Sequence, residues 1–369
     1  MTYKAHIFGF DADMSGMIGD ALFFAGAEPV RFQDVASFTK TFRQEPPSII
    51  AAPLAILHQL DLHVMLGGDE RFDQVAVLAA VEDPYDPRLR ESMERCALDY
   101  FLVSQPYHLK RLALAVMSRS PWGENPATSG RLLLAEANLE RRIGIARAMR
   151  IARFDVSFAD TAEDLEERLR SGEPTTIVIA NLATAGRKVF EECFRDGAIR
   201  KVPWIAYSDR EILANSAEGK LDRLEPVGTD PNPDTLLFHA QEILKKPQKD
   251  LRKCKRLPMS TPVSFRVDTL RETVWAYTRD FGLKGIFIRT AAPPPPETMV
   301  TVSFRAPTAE GMTQVGARVA WRKDYGESRD PMKPAGMGVH FTRVSAPDSA
   351  AIEAGYKALG KQIEASPGG

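Results

Sequence analysis

The stretch Asp280-Phe281-Gly282-Leu283-Lys284-Gly285-Ile286-Phe287-Ile288 decides how the chain is read. It follows one run, 272–278, and leads into a second, 286–289, both rich in Val, Thr, Trp, Ile and Phe and suited to strands. One run of the same kind precedes them at 263–267, and three follow at 299–304, 315–321 and 338–341. Six strand-like runs with no helix-length segment among them predict a small antiparallel β-barrel. The prolines at 293–296 form a stiff loop between two strands. Residues 345–359 read as a terminal helix with a Ser/Asp start signal. Just upstream of the barrel, Arg252 and Arg256 lie four apart in a basic run, 245–256. The same spacing recurs at Arg318 and Arg322 inside a strand, where it carries no role.

Upstream of the barrel the pattern changes. Over 4–118, short apolar runs at 5–10, 29–32, 47–52, 74–81 and 100–103 alternate with helix-length segments at 15–26, 35–42, 87–96 and 108–117. A Pro/Gly/Ser-rich break at 120–130 follows. The alternation then restarts, with strands at 131–135, 154–158, 175–180 and 202–207 and helices at 139–151, 162–170, 186–194 and 233–244. The region around Leu224 reads as loop-rich. Alternating strands and helices imply parallel sheets covered on both faces. The expected architecture is therefore two five-stranded doubly wound α/β domains, 1–119 and 130–246, followed by a six-stranded antiparallel barrel with a C-terminal helix, 250–365.

The totals narrow the function. Of 369 residues, 44% are hydrophobic and 26% charged, the balance of a globular protein with room for several cores. A net charge of −1 argues against a general nucleic-acid binder. The three cysteines, Cys96, Cys193 and Cys254, form no CxxC and no disulfide framework, which fits a reducing compartment. No signal peptide, transmembrane helix or membrane insertion is predicted, so a cytoplasmic location is the expectation. The six histidines show no metal spacing; His58 and His63 read as surface or packing residues. No P-loop, nucleophile elbow or dinucleotide fingerprint is present. The chain reads as a non-enzyme, without cofactor, metal or catalytic residue.

The two α/β arrays resemble response-regulator receiver domains, which hold Mg²⁺ on an acidic pair after strand 1 and phosphorylate an aspartate ending strand 3. The first array keeps Asp11 and Asp13 but ends strand 3 in Ala52-Pro53-Leu54, strand 4 in Ala80-Val81 and strand 5 in Gln105-Pro106. The second keeps Glu136 but has Asn181 at the acceptor position, Ser208 at the switch hydroxyl and Glu225-Pro226 in place of Lys-Pro. Asn181 cannot form an acyl phosphate. Both arrays read as pseudo-receivers that act through protein contacts, with Asp11, Asp13 and Glu136 expected as solvated carboxylates at strand ends.

The barrel and its lead-in resemble the PilZ domain, the receptor module for cyclic di-GMP. The family pattern is Arg-x-x-x-Arg before the barrel and Asp/Asn-x-Ser-x-x-Gly at the end of an early strand. Arg252 and Arg256 fit the first part; Asp280, Gly282 and Gly285 occupy the second, with glycine where serine is usual. The resemblance implies that these five residues bind the ligand. Guanidinium groups fork onto phosphate oxygens and stack on purines. Asp280 can accept from the guanine N1–H and amino group, and Gly285 lets a ligand or backbone approach closely. Gly282 removes a hydroxyl contact, a loss of about 1–2 kcal/mol, or about tenfold in affinity. The implied function is a cytoplasmic bacterial signalling adaptor that relays cyclic di-GMP binding by protein contacts to motility, polarity or attachment machinery. The alternative is a ligand-independent scaffold regulating motility. Receiver-like folds often dimerise through a helical face, so a homodimer is a further expected arrangement.

Overall fold

In the computed structural model the described residues are 3–60, 62–95, 97–105, 107–118, 128–196, 199–208, 224–228, 231–244, 255–269, 272–327 and 330–365. The first sheet comprises β1 (Tyr3–Phe8), β2 (Ala27–Phe32), β3 (Ile49–Pro53), β4 (Ala76–Val81) and β5 (Asp99–Leu102), all parallel, in the order β2-β1-β3-β4-β5. That is the flavodoxin-like doubly wound order. Every residue of β4 and β5 is buried, as expected of strands covered on both faces.

The helices around this sheet are α1 (Ala12–Phe24), α2 (Val35–Gln44), α3 (Leu54–Gln59), α4 (Leu62–Gly67), α5 (Pro87–Arg95) and α6 (Tyr107–Met117). Local chemistry starts α1 and α2: the carboxylates of Asp11 and Asp34 accept from the backbone N–H three residues on, each at 2.8 Å. The sequence pattern does not predict α3, α4 or the 3₁₀ turn Glu70–Phe72. They are too short to set up a helical period, yet Leu54, Leu57, Leu62, Leu66 and Phe72 all enter the core.

The second sheet repeats the plan. β6 (Gly130–Ala135), β7 (Phe154–Ala159), β8 (Ile177–Asn181), β9 (Trp204–Tyr207) and β10 (Leu224–Pro226) are parallel in the order β10-β9-β8-β6-β7. The region read as loop around Leu224 thus contributes a short edge strand. The helices are α7 (Leu139–Ile151), α8 (Ala162–Arg170), α9 (Leu182–Ala185), α10 (Arg187–Arg195) and α11 (Pro233–Leu244). Asn138 and Thr161 cap α7 and α8 through their side-chain oxygens.

The third sheet is antiparallel. Its six long strands are β12 (Pro262–Val267), β13 (Thr273–Gly282), β14 (Gly285–Arg289), β15 (Met299–Phe304), β16 (Thr313–Lys323) and β17 (Gly336–Val344); a two-residue strand, β11 (Leu257–Pro258), precedes them. The order is β11-β13-β12-β15-β16-β17-β14, and pairing of β13 with β14 closes the barrel. The helix α12 (Ala346–Ala365) follows, longer than its sequence signal.

Two compact units emerge. One combines Met1–Pro126 with Cys254–Asp330 and Pro334–Ala358; the other comprises Ala127–Lys253, Pro331–Lys333 and Leu359–Gly369. Within the first unit the barrel packs on the first α/β array. Tyr277 of β13 is buried among Phe38, Leu89, Met93 and Tyr100, and Ala291 joins Phe101 and Leu109. Each large apolar side chain so buried contributes about 1.5–3 kcal/mol. The polar groups at this junction are satisfied. The Tyr100 hydroxyl donates to the Ala276 carbonyl at 3.0 Å, and the Arg289 guanidinium donates to the Met93 carbonyl at 3.1 Å. Asp99, wholly buried, accepts from the Thr290 hydroxyl at 2.9 Å and from the Ala291 N–H at 2.8 Å.

Candidate functional site

The site is built where the lead-in meets the far end of β13. Leu257 and Pro258 pair with Phe281 and Asp280, and the Met259 N–H donates to the Arg279 carbonyl at 3.0 Å. The Thr278 hydroxyl donates to the Met259 carbonyl at 2.8 Å and accepts from the Thr261 N–H at 3.0 Å. The Tyr356 hydroxyl of α12 holds the Lys255 carbonyl at 2.6 Å. The lead-in is therefore strapped down along 255–261, which fixes Arg256. Its Nη1 donates to Asp280 Oδ1 at 2.5 Å, with side chains 21% and 12% exposed.

A bulge between Thr278 and Asp280 carries β13 past the point where its sequence alternation ends. Beyond it Phe281 is fully buried and packs edge-on against Phe304. The two motif glycines have different reasons. A Cβ on Gly285 would lie 2.1 Å from the Val339 carbonyl oxygen, so the close neighbour is the backbone of β17. A Cβ on Gly282 would meet only the Gly285 oxygen at 3.5 Å and Arg256 Cγ at 3.6 Å, both ordinary contacts. A serine fits there, with its hydroxyl beside the arginine. Arg252, the other expected arginine, lies outside the described residues. Arg318 and Arg322 pair with Glu297 and Asp324.

The receiver-like positions are occupied by structure. Asp11 is spent as the cap of α1, and β3 ends in Pro53. Glu136, expected as a solvated carboxylate, is 1% exposed. It accepts from the Tyr207 hydroxyl at 2.8 Å, the Asn138 N–H at 2.8 Å, the Asn181 amide at 3.2 Å and Arg141 at 3.4 Å. Its burial is tolerated because donors surround it. Ser208 is also buried. His58 Nε2 donates to the Arg88 carbonyl at 3.0 Å, as a packing residue would; the side chain of His63 lies outside the described residues. Among the described residues no group of three or more His, Cys, Asp or Glu could hold a metal, and no helix is long and apolar enough to cross a membrane.

Sequence reasoning missed Asp99 and the roles of Tyr100, Arg289 and Thr290. An acid at the start of a strand gives no local sign that it will be buried.

Residues 250–357 match the PilZ domain family. No curated protein matches the chain. Among solved structures, the PilZ domain of CeSA from a cellulose-synthesising bacterium is 15% identical, covers 29% of this chain and 99% of its own, and has a TM-score of 0.23. An inhibitor of motility from Bacillus subtilis (MotI/DgrA) is 15% identical over 31% of this chain and 57% of its own, with a TM-score of 0.26. A chain assigned to the two-component response regulator/GGDEF class is 16% identical over 66% of this chain and 100% of its own, with a TM-score of 0.30. These scores are low, and the α/β assignment rests on the strand orders themselves. Lead-in, closed barrel and family match agree: residues 250–357 are a PilZ domain, of the cyclic di-GMP receptor family, and follow two doubly wound α/β arrays.

Proposed function

We propose that the chain is a cytoplasmic signalling adaptor that binds cyclic di-GMP at Arg252, Arg256, Asp280, Gly282 and Gly285 and relays binding through protein contacts. The observation that carries this reading is the Arg256–Asp280 pair, held at one barrel end by a hydrogen-bonded lead-in. It brings a phosphate-binding cation and a guanine-accepting carboxylate to one place. On ligand entry the guanidinium turns to a phosphate oxygen and the carboxylate to the guanine edge. Arg252 supplies the second guanidinium, and Gly285 contributes by letting β14 lie close to β17. No bond is made or broken, and no metal or cofactor takes part. The output partner belongs to motility, polarity or attachment machinery.

Calorimetric titration of the full chain with cyclic di-GMP tests this. Saturable binding that Arg252→Ala and Asp280→Ala each remove is the expected result. Absence of heat at about 100 μM ligand, a bound of roughly 5 kcal/mol on the affinity, would leave a ligand-independent scaffold as the function.

A further inference from the structure

We propose that His340 is a further ligand-binding residue, whose imidazole N–H donates to N7 of the guanine that Asp280 holds. This rests on the reading of the Arg256–Asp280 end as the ligand site, and adds to it a donor from a strand that the motif does not reach. The register of three strands carries the argument. Gly282 of β13 pairs with Gly285 of β14, and Gly285 pairs in turn with His340 of β17. Residues directly opposite in an antiparallel sheet project to the same face. The next residues along each strand, Phe281, Ile286 and Val339, are buried, so Gly282, Gly285 and His340 share the outer face of the barrel. His340 is exposed there. Asp280, Phe287 and Gly338 form the adjoining row on that face, again by direct pairing.

The two rows are filled differently. A Cβ on Gly338 would lie 2.3 Å from Trp321 Nε1, so the indole covers that glycine; its ring also stacks on Phe287, with centroids 5.3 Å apart. In the first row the three atoms nearest to a Cβ on Gly285 are all backbone, and the side-chain atom that one on Gly282 would meet is Arg256 Cγ, at 3.6 Å. The paired glycines therefore leave a bare floor. Arg256 stands at one end of it and His340 at the other, with Asp280 and the Phe287–Trp321 stack along one side. From Gly282 to His340 is two strand spacings, about 10 Å, room for one flat ring system. Asp280 and His340 face each other diagonally across this floor. A guanine bonded to Asp280 through N1–H and its amino group turns its other edge, with N7 and O6 as acceptors, towards β17. Imidazole carries an N–H donor in either tautomer. Arg318, which pairs with His340 from β16, is engaged by Glu297, so His340 is the donor that faces the floor from that side. The hydrogen bond lost on β13, where Gly282 stands in place of serine, is thus offset by one from β17.

Calorimetry on the full chain with cyclic di-GMP and with its 7-deazaguanine analogue, which has carbon in place of N7, decides this. The wild type is expected to bind the analogue about fivefold more weakly than cyclic di-GMP, the worth of one neutral hydrogen bond. His340→Ala is expected to bind cyclic di-GMP about fivefold more weakly than the wild type does, and to bind the two ligands alike, because the residue and the ring atom form one contact. His340→Phe, which keeps a ring but has no N–H, is expected to match His340→Ala. Wild-type affinity in His340→Ala, or equal affinity of the wild type for the two ligands, would overturn the contact and leave the binding site standing. Wild-type affinity in His340→Phe alone would make the contact a stacking one and overturn the donor role. No binding of cyclic di-GMP by the wild type would overturn both the contact and the site.

Discussion

Arg256 and Asp280 stand 24 residues apart in the chain and 2.5 Å apart in space. The contact joins the lead-in to the barrel, and its groups are mostly shielded from water. A shielded pair is worth more than a surface one, and removing one member strands the other. A double-mutant cycle of Arg256→Met and Asp280→Asn, measured by urea unfolding, is expected to give a coupling energy of about 1–2 kcal/mol. A value indistinguishable from zero would reduce the contact to an ordinary surface pair.

Gly282 is the position at which the site departs from its family. Its surroundings leave room for a serine, with Arg256 Cγ 3.6 Å from the added Cβ. Gly282→Ser is expected to tighten cyclic di-GMP binding about tenfold, the worth of one or two kcal/mol of added hydrogen bonding. Titration of the variant beside the wild type checks it; equal affinities would show that the hydroxyl finds no ligand atom.

Gly285 behaves differently although it belongs to the same motif. The Val339 carbonyl oxygen would lie 2.1 Å from an added Cβ, and neither backbone can yield without breaking the β14–β17 ladder. Gly285→Ala is expected to destabilise the barrel by about 3 kcal/mol or more, as overpacking at backbone does. The loss appears without ligand in a thermal melt. A variant as stable as the wild type that lost only affinity would instead assign Gly285 to ligand clearance.

Apart from the short strands β10 and β11, the strands were legible because their chemistry is local. All six barrel runs and both α/β alternations appear as periodicity in adjacent residues, and β13 is underestimated only where the bulge near Arg279 breaks the alternation. The buried acids were illegible for the opposite reason. Thr290 lies 191 residues from Asp99, and Tyr207 lies 71 from Glu136, so nothing nearby marks either carboxylate for burial. The Arg256–Asp280 meeting was legible only as a motif; the strapping by Thr278 and Tyr356 that holds it has no sequence signature.

Asn181 occupies the strand end where a receiver needs its aspartate, and its amide donates to Glu136 at 3.2 Å. Asn181→Asp would set a second carboxylate against a buried first one. The expected result is a loss of about 2–3 kcal/mol in stability, with no labelling by acetyl phosphate and Mg²⁺. Adding Glu136→Gln is expected to recover most of the stability by removing one of the two charges. Phosphate incorporation into the single variant would show that the array needs only an acceptor to work.

Asp99 makes the junction between barrel and first array sensitive to acid in an unusual direction. Burial pushes its carboxyl up to about 6 from 3.8, although the N–H groups of Ala291 and Tyr100 and the Thr290 hydroxyl partly oppose this. Between those two values the folded chain keeps a proton that the unfolded chain has released. Stability from this group therefore falls as pH rises through the window and is constant above about 6. The full single-site effect is about 3 kcal/mol. Asp99→Asn removes the titration but keeps a carbonyl oxygen to accept from Thr290 or Ala291. The stability of the wild type relative to Asp99→Asn is thus expected to decline from pH 4 to pH 6 and then level off. Urea unfolding of both proteins across that range checks it, and a difference that stayed flat would mean that Asp99 titrates alike in the folded and unfolded chain.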